Sequence, residues 1–128
     1  MVRKVNPYND KIIESAKRKA IEEAGGIRNI VSDCVAATQY APNRSLTDIF
    51  KAGCMRYAKE TIMVYTSDRR AWLERRNVKL MSSVDSTFNA IFSTACYQIC
   101  LEYMRKHNLV IASMKNKYGT TNFKLVKA

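Results

Sequence analysis

Apolar residues recur at spacings of three and four along most of this chain, which is the period of an α-helix. The first such segment begins at Asn6, a capping residue, with Pro7 at the first helical position. The pair Gly25–Gly26 is expected to end it. A second segment covers about 27–40, and Pro42 interrupts the helical pattern after it. Both segments are predicted to be amphipathic helices.

A third helix is predicted to start at Ser45, which forms a capping box with Asp48. Its apolar stripe continues as far as Tyr65. Gly53 lies in the middle of this stripe, where glycine costs about 1 kcal/mol relative to alanine. We therefore expect a close helix crossing at Gly53.

A second capping box, Ser82 with Asp85, predicts a long helix over 83–107. This segment contains no Lys or Arg before its last turn, and its apolar residues cover much more than one face. A helix of that length spans about 36 Å at 1.5 Å per residue. It is expected to be the central element of the fold.

Two β-favouring runs follow, separated by the turn-forming residues NKYG, with Gly119 suited to a left-handed conformation. They predict a β-hairpin over 109–126. The predicted fold is mainly α: a single domain, 1–128, with about five helices around the apolar 83–107 helix and a C-terminal β-hairpin that closes it. The same order of elements is found in winged helices, although a recognition helix this long and apolar would be unusual.

The net charge distinguishes this chain from an ordinary globular protein and predicts a polyanionic partner. The 128 residues include 22 Lys plus Arg against 11 Asp plus Glu, for a net charge of +11. A surplus of that size attracts polyanions through its long-range field. Nucleic acid is the commonest such partner, followed by an acidic protein surface. No apolar run resembles an export signal or a membrane span, so we expect an intracellular, reducing setting, including a host cytoplasm, and no membrane partner.

The positive charge is concentrated in two acid-poor segments. The segment 69–79 surrounds Trp72, in a short fourth helix that ends near Asn77. The segment 105–128 begins in the last turn of the long helix and contains no Asp or Glu. Trp72 is expected to anchor the short helix to the core while its arginines point outward, and the planar guanidinium group matches phosphate oxygens. The candidate nucleic-acid-binding residues are Arg69, Arg70, Arg75, Arg76, Lys79, Lys115, Lys117 and Lys124.

Four cysteines offer the other candidate chemistry. Cys96, Cys100 and His107 share one face of the long helix, and Cys34 or Cys54 could complete a ligand set. One helical cysteine pair is too little for a zinc motif, and buried free cysteines pack as small hydrophobic residues. We therefore interpret all four as core residues and expect no metal and no cofactor.

The sequence contains no nucleophile–base motif and no glycine-rich phosphate loop, so no enzymatic activity is expected. It predicts a small basic structural protein that binds DNA or RNA through backbone phosphates, as a component of a nucleoprotein or virion. The viral assignment rests only on a compact chain without motifs. The alternative is a docking module or inhibitor that acts on an acidic surface of a larger assembly. The apolar surplus of the 83–107 helix also allows a homo-oligomer formed through that helix.

Overall fold

The computed structural model describes residues 8–80 and 82–128. It confirms a mainly α fold that ends in a two-stranded antiparallel hairpin. In chain order the elements are α1 (Asp10–Ala24), α2 (Ile27–Ala36), α3 (Leu46–Tyr57), a π-helical segment (Ala58–Ile62), α4 (Met63–Tyr65), α5 (Arg69–Arg75), α6 (Val84–Lys106), β1 (Leu109–Lys115) and β2 (Thr121–Lys127).

Helix α1 begins later than the sequence predicts. The side chain of Asn9 accepts a hydrogen bond from the Ile12 backbone N–H at 2.9 Å, so Asn9 is the cap. The predicted cap, Asn6, and the following Pro7 lie outside the part of the chain that the structure describes. The predicted end is confirmed, because Gly25 adopts a left-handed conformation with φ 79°.

Helix α2 ends at Ala36, about four residues before its predicted end. The Thr38 hydroxyl donates to the Cys34 carbonyl at 2.9 Å, and the Arg56 guanidinium donates to the Ala37 carbonyl at 2.8 Å. These two side chains satisfy carbonyls that a longer helix would have paired with backbone N–H groups. The helix therefore stops without leaving them unpaired.

Ser45 caps α3 as predicted, because its hydroxyl accepts from the Asp48 N–H at 3.1 Å, but the reciprocal bond of a capping box, from the Ser45 N–H to the Asp48 carboxylate, is absent among the described residues. The backbone then stays helical to Tyr65 but winds as a π-helix over Ala58–Ile62. The sequence analysis did not predict this change of winding. Such short π segments are frequent near functional sites.

Gly53 marks a close helix crossing, as predicted. A Cβ atom at this position would lie 2.5 Å from Thr38 Oγ1, 2.9 Å from Thr38 Cα and 3.0 Å from the Cys34 carbonyl oxygen. Two of these neighbours are backbone atoms of α2 and the turn that follows it. Helix α3 therefore passes this backbone at a separation that only glycine allows.

Helix α6 is present close to its predicted bounds, but its predicted cap is wrong by one residue. Ser83, not Ser82, is the cap, and its hydroxyl accepts from the Ser86 N–H at 3.1 Å. Asp85 does not complete a capping box, because its Oδ1 accepts from Arg69 Nε at 2.8 Å. The Asp85 carboxylate therefore makes a long-range ion pair in place of the predicted local hydrogen bond.

Helices α1, α2, α3 and α5 all pack against α6. Its side chains Phe88, Ile91, Phe92 and Ala95 are fully buried. The winged-helix alternative is wrong, since a helix surrounded in this way cannot enter a nucleic-acid groove.

The apolar character predicted for α6 is not confirmed on every side, because Ser93, Thr94 and Gln98 form a polar, uncharged face that is partly exposed. Within 8–80 and 82–128, no helix is both long and apolar enough to span a membrane.

Lys17 connects α1 to α6 through a buried ammonium group. Its Nζ donates to Glu102 Oε1 at 2.7 Å and to Glu14 Oε1 at 3.1 Å. Burial alone would lower the pKa of Lys17, but the hydrogen bonds to Glu102 and Glu14 outweigh it and raise the pKa. The charged form is therefore the stable one at this contact.

The hairpin is confirmed. Its antiparallel register pairs Leu109 with Lys127 at one end and Lys115 with Thr121 at the other. In its turn, the Asn116 side chain accepts from the backbone N–H groups of Tyr118 and Thr120, at 2.9 and 3.0 Å. Gly119 has φ 79°, the left-handed conformation that the sequence predicts. Ile111 and Leu125 are paired across the strands and pack against the core.

Candidate functional site

The arginine helix α5 is held on the core by its apolar residues. Trp72 and Leu73 are only 2% and 1% exposed. The Trp72 ring lies 5.8 Å from Phe88 and 4.9 Å from Phe92, measured between ring centroids. This confirms the predicted anchoring role of Trp72 and leaves the arginines around the edge of the helix.

Arg69 has a structural role. Besides the bond from Nε to Asp85, its Nη1 donates to the carbonyls of Met63 at 2.9 Å and Thr66 at 3.2 Å. The Thr66 carbonyl follows α4 and has no backbone partner among the described residues, whereas the Met63 carbonyl also accepts from the Thr66 N–H at 3.2 Å. Arg69 therefore joins the end of α4 to the start of α6, and most of its donors are occupied within the protein.

Arg69 and Arg70 consequently form a matched pair for a stability test. We expect Arg69→Met to lower the free energy of unfolding by about 1 kcal/mol, because the Thr66 carbonyl loses its donor, the Met63 carbonyl loses one of two, and the contact with Asp85 is lost. Arg70 is exposed and has no hydrogen bond or ion pair to the described part of the chain, so Arg70→Met should stay within about 0.5 kcal/mol of the parent. Urea unfolding followed by circular dichroism measures both. Equal effects of the two substitutions would contradict the structural role of Arg69.

Arg76 is fixed in place but keeps donors free. Its Nε donates to Ser15 Oγ at 2.6 Å and its Nη1 to the Trp72 carbonyl at 3.0 Å. The guanidinium also lies over the Trp72 ring, 4.0 Å from the centroid. Neither N–H of Nη2 has an acceptor among residues 8–80 and 82–128. Burial lowers the pKa of Arg76, and the nearby charges of Arg75 and Arg18 lower it further.

A pocket of about 350 Å³ opens between α1 and α5 beside this guanidinium. We call it the arginine pocket. Three guanidinium groups and one ammonium group are set against a single carboxylate in its lining. Its residues are Ser15, Arg18, Lys19, Glu22, Trp72, Arg75 and Arg76.

The sequence analysis did not include Arg18 and Lys19 among the candidate site residues. The only signal for them was their place on the predicted solvent face of the first helix. Which residues of that face would meet α5 depends on how the two helices pack. Lys19 is paired with Glu23 at 2.7 Å, so Arg18 is the larger addition to the pocket's positive potential.

Arg75, which lines the pocket, is exposed, as are Arg70 and Lys79 of the same segment, which are not part of the pocket lining. Arg75 pairs with Asp68 at 3.4 Å, with both side chains more than half exposed, and such surface pairs are weak. Elsewhere in the part of the chain that the structure describes, the only other Lys and Arg residues in ion pairs are Lys17, Lys19 and Arg69. Most of the positive charge is therefore uncompensated.

The hairpin lysines form a separate group. Lys115, Lys117 and Lys124 are all exposed, as a binding role requires. Trp72 packs at Phe92, whereas the hairpin starts after Lys106, which is about 21 Å further along α6 at 1.5 Å per residue. The arginine pocket and the hairpin are therefore attached to α6 at well-separated points, and the candidate residues do not form one cluster.

All four cysteines are fully buried, which confirms their interpretation as core residues. The sequence did not predict that the sulfur atoms of Cys34, Cys54 and Cys100 would lie within 4.8 Å of one another. His107 is not part of this cluster, because it is exposed and its ring packs against Tyr103 at 4.4 Å.

Comparison of the chain with models of protein families, with curated proteins and with solved structures found no match. Function is therefore inferred from the residues and their arrangement.

Proposed function

We propose that this protein binds nucleic acid through backbone phosphates at the arginine pocket and the exposed cations around it. The observation that carries the proposal is the arrangement of Arg76. Its guanidinium is fixed by Ser15 and Trp72, its Nη2 has no acceptor among the described residues, and Arg18 and Arg75 line the same pocket. No enzymatic activity is part of the proposal.

A fixed guanidinium is well suited to phosphate because little side-chain freedom is lost on binding. Its two outer N–H groups match two phosphate oxygens in plane. Arg18 and Arg75 supply further charge within the same pocket, and their mutual repulsion falls when an anion binds. Burial is the main reason that the pKa of Arg76 is lowered, and the like charges of Arg75 and Arg18 lower it further.

Contacts of this kind set position and do not read bases. Helix α6 packs against four other helices, and its apolar side chains are buried in that packing, so it is poorly placed to act as a recognition helix. We therefore propose binding without strong sequence preference, to DNA or RNA. A nucleoprotein or virion role and a homo-oligomer through α6 stay predictions.

The experiment is a salt titration of affinity for a fluorescent duplex, with Arg70→Glu/Arg75→Glu as the test variant. Each phosphate contact contributes about −0.9 to the slope of log affinity against log salt. Loss of two contacts should therefore flatten the slope by about 1.8 and weaken binding to unrelated sequences alike. Fluorescence anisotropy measures both quantities.

Arg44→Glu/Lys59→Glu is the matched control, because both side chains are exposed, lie outside the candidate residues and change the net charge equally. A smaller loss of duplex affinity in this control would show that binding depends on where the positive charges lie and not on the total charge. Equal losses, or unchanged binding in the test variant, would contradict the proposal.

Lys115→Glu/Lys117→Glu/Lys124→Glu tests the hairpin on its own. A second loss of affinity, additive to the first, is expected if both groups contact one duplex, because distant sites act independently.

The alternative function, docking on an acidic protein surface, uses the same cations. It predicts weak nucleic-acid binding that none of these reversals changes.

A further inference from the structure

Three buried thiols from three separate helices meet in the interior. Cys34 comes from α2, Cys54 from α3 and Cys100 from α6, and their sulfur atoms all lie within 4.8 Å of one another. Each residue is 0% exposed. The fourth thiol, Cys96, lies one helical turn before Cys100 on α6 and is outside this group of three. No acid or histidine takes part in the cluster.

The helix crossing at Gly53 brings two of these thiols together. Gly53 precedes Cys54, and a Cβ on it would lie 3.0 Å from the carbonyl oxygen of Cys34. Helix α3 can approach α2 this closely only because the side chain is absent. The separation of the Cys34 and Cys54 sulfurs therefore depends on a glycine that helix propensity disfavours.

The sulfur positions are close to those of a metal site. Zinc–sulfur bonds of about 2.3 Å place tetrahedral thiolates about 3.8 Å apart, and trigonal ligands at that bond length about 4.0 Å apart. The observed upper limit of 4.8 Å exceeds these values by about 0.8 to 1.0 Å. The sulfur atoms would therefore have to approach one another by about 1 Å at most to bind one ion.

A buried donor lies one helical turn after Cys54, at the end of α3. Tyr57 is 4% exposed, and its hydroxyl has no hydrogen-bond partner in the described part of the chain. A buried hydroxyl can donate to a metal-bound thiolate, and such bonds orient and stabilise metal ligands.

We propose that Cys34, Cys54 and Cys100 bind one thiophilic d¹⁰ metal ion, Zn²⁺ or Cu⁺, with Cys96 as the fourth sulfur and Tyr57 as a donor to a bound thiolate. Soft thiolate ligands select these ions. On binding, each ligand S–H bond breaks, a metal–sulfur bond forms and the proton leaves to solvent, with no electron transfer. The ion would join α2, α3 and α6.

The test uses the full chain, purified under reductant and stripped of metal, then loaded with Zn²⁺, with Cu⁺, or with Co²⁺ as a spectroscopic probe. One ion per chain, a thiolate-to-cobalt charge-transfer band and a higher melting temperature are expected. Binding should tighten as pH rises, because protons are released. A parent protein that binds substoichiometric metal and keeps its melting temperature would overturn the proposal.

Variants separate metal binding from packing. Cys54→Ala and Cys100→Ala should each lose the cobalt band and the metal-dependent rise in melting temperature, relative to their own metal-free forms. Tyr57→Phe keeps the ring in place and should weaken metal affinity by about 10–100-fold. Retention of the full parent affinity in Cys54→Ala and Cys100→Ala would overturn the site.

Cys96→Ala distinguishes the two ions. Tetrahedral Zn²⁺ should lose affinity without the fourth sulfur, whereas trigonal Cu⁺ should not. Either result supports the cluster and names its ion. Because the cluster is buried, Cys96→Ala should leave duplex affinity unchanged, which keeps this test separate from the proposed function.

Discussion

Replacing Phe92 with alanine is expected to lower the free energy of unfolding by about 3–5 kcal/mol. Phe92 is 0% exposed and lies where α5 meets α6. Its ring stacks on Phe88 at 4.2 Å and contacts Trp72 at 4.9 Å. Truncation removes both ring contacts and leaves a cavity that the two rigid neighbouring rings cannot fill. Proteins of this size have only about 5–15 kcal/mol of stability, so much of it would be lost.

Urea unfolding monitored by far-ultraviolet circular dichroism measures this change. Tyr118→Ala is the control, because that aromatic residue is 79% exposed at the hairpin turn and should shift the free energy by no more than about 0.5 kcal/mol. An unchanged urea midpoint for Phe92→Ala would show that the aromatic cluster contributes little to the core.

Capping and turn residues in the sequence predicted the ends of the elements well where no long-range interaction competed with the local one. The Ser45 cap, the left-handed Gly25 and the hairpin turn at Gly119 all depend on residues within a few positions of each other. The cap of α6 was wrong by one residue for a different reason. Asp85 pairs with Arg69, which is 16 positions away, and no local spacing carries that information.

The candidate site was only partly predictable for the same reason. The arginines of α5 look equivalent in sequence, yet Arg69 closes the end of α4 and Arg76 faces a pocket with α1. Their different roles follow from which carbonyls and helices lie nearby. The position of Arg18 in that pocket required the packing of α1 against α5.

The cysteine cluster shows the limit of motif spacing most clearly. Cys96 and Cys100 are neighbours on one helix and were readily paired by sequence. Cys34 and Cys54 join them only because α2, α3 and α6 cross at one point. Zinc motifs in loops have short spacings that can be recognised, whereas a site assembled from helix faces has none.

That crossing supplies the second large effect. Gly53→Ala is expected to lower the free energy of unfolding by about 2 kcal/mol. Overpacking costs about 3 kcal/mol here, against a gain of about 1 kcal/mol in helix propensity. The added methyl group would lie 2.9 Å from Thr38 Cα and 3.0 Å from the Cys34 carbonyl oxygen. These are backbone atoms, so the helices must separate to admit it.

Thr47→Ala, an exposed change in the same helix, provides the comparison and should stay within about 0.5 kcal/mol of the parent in urea unfolding. Adding Thr38→Ala to Gly53→Ala removes the 2.5 Å contact with Oγ1 but leaves both backbone contacts, so the rescue should be partial at most. A Gly53→Ala protein as stable as the parent would show that α2 and α3 can separate without cost. Because separation of these helices moves Cys54 away from Cys34, the same variant should also lose the cobalt band expected of the parent.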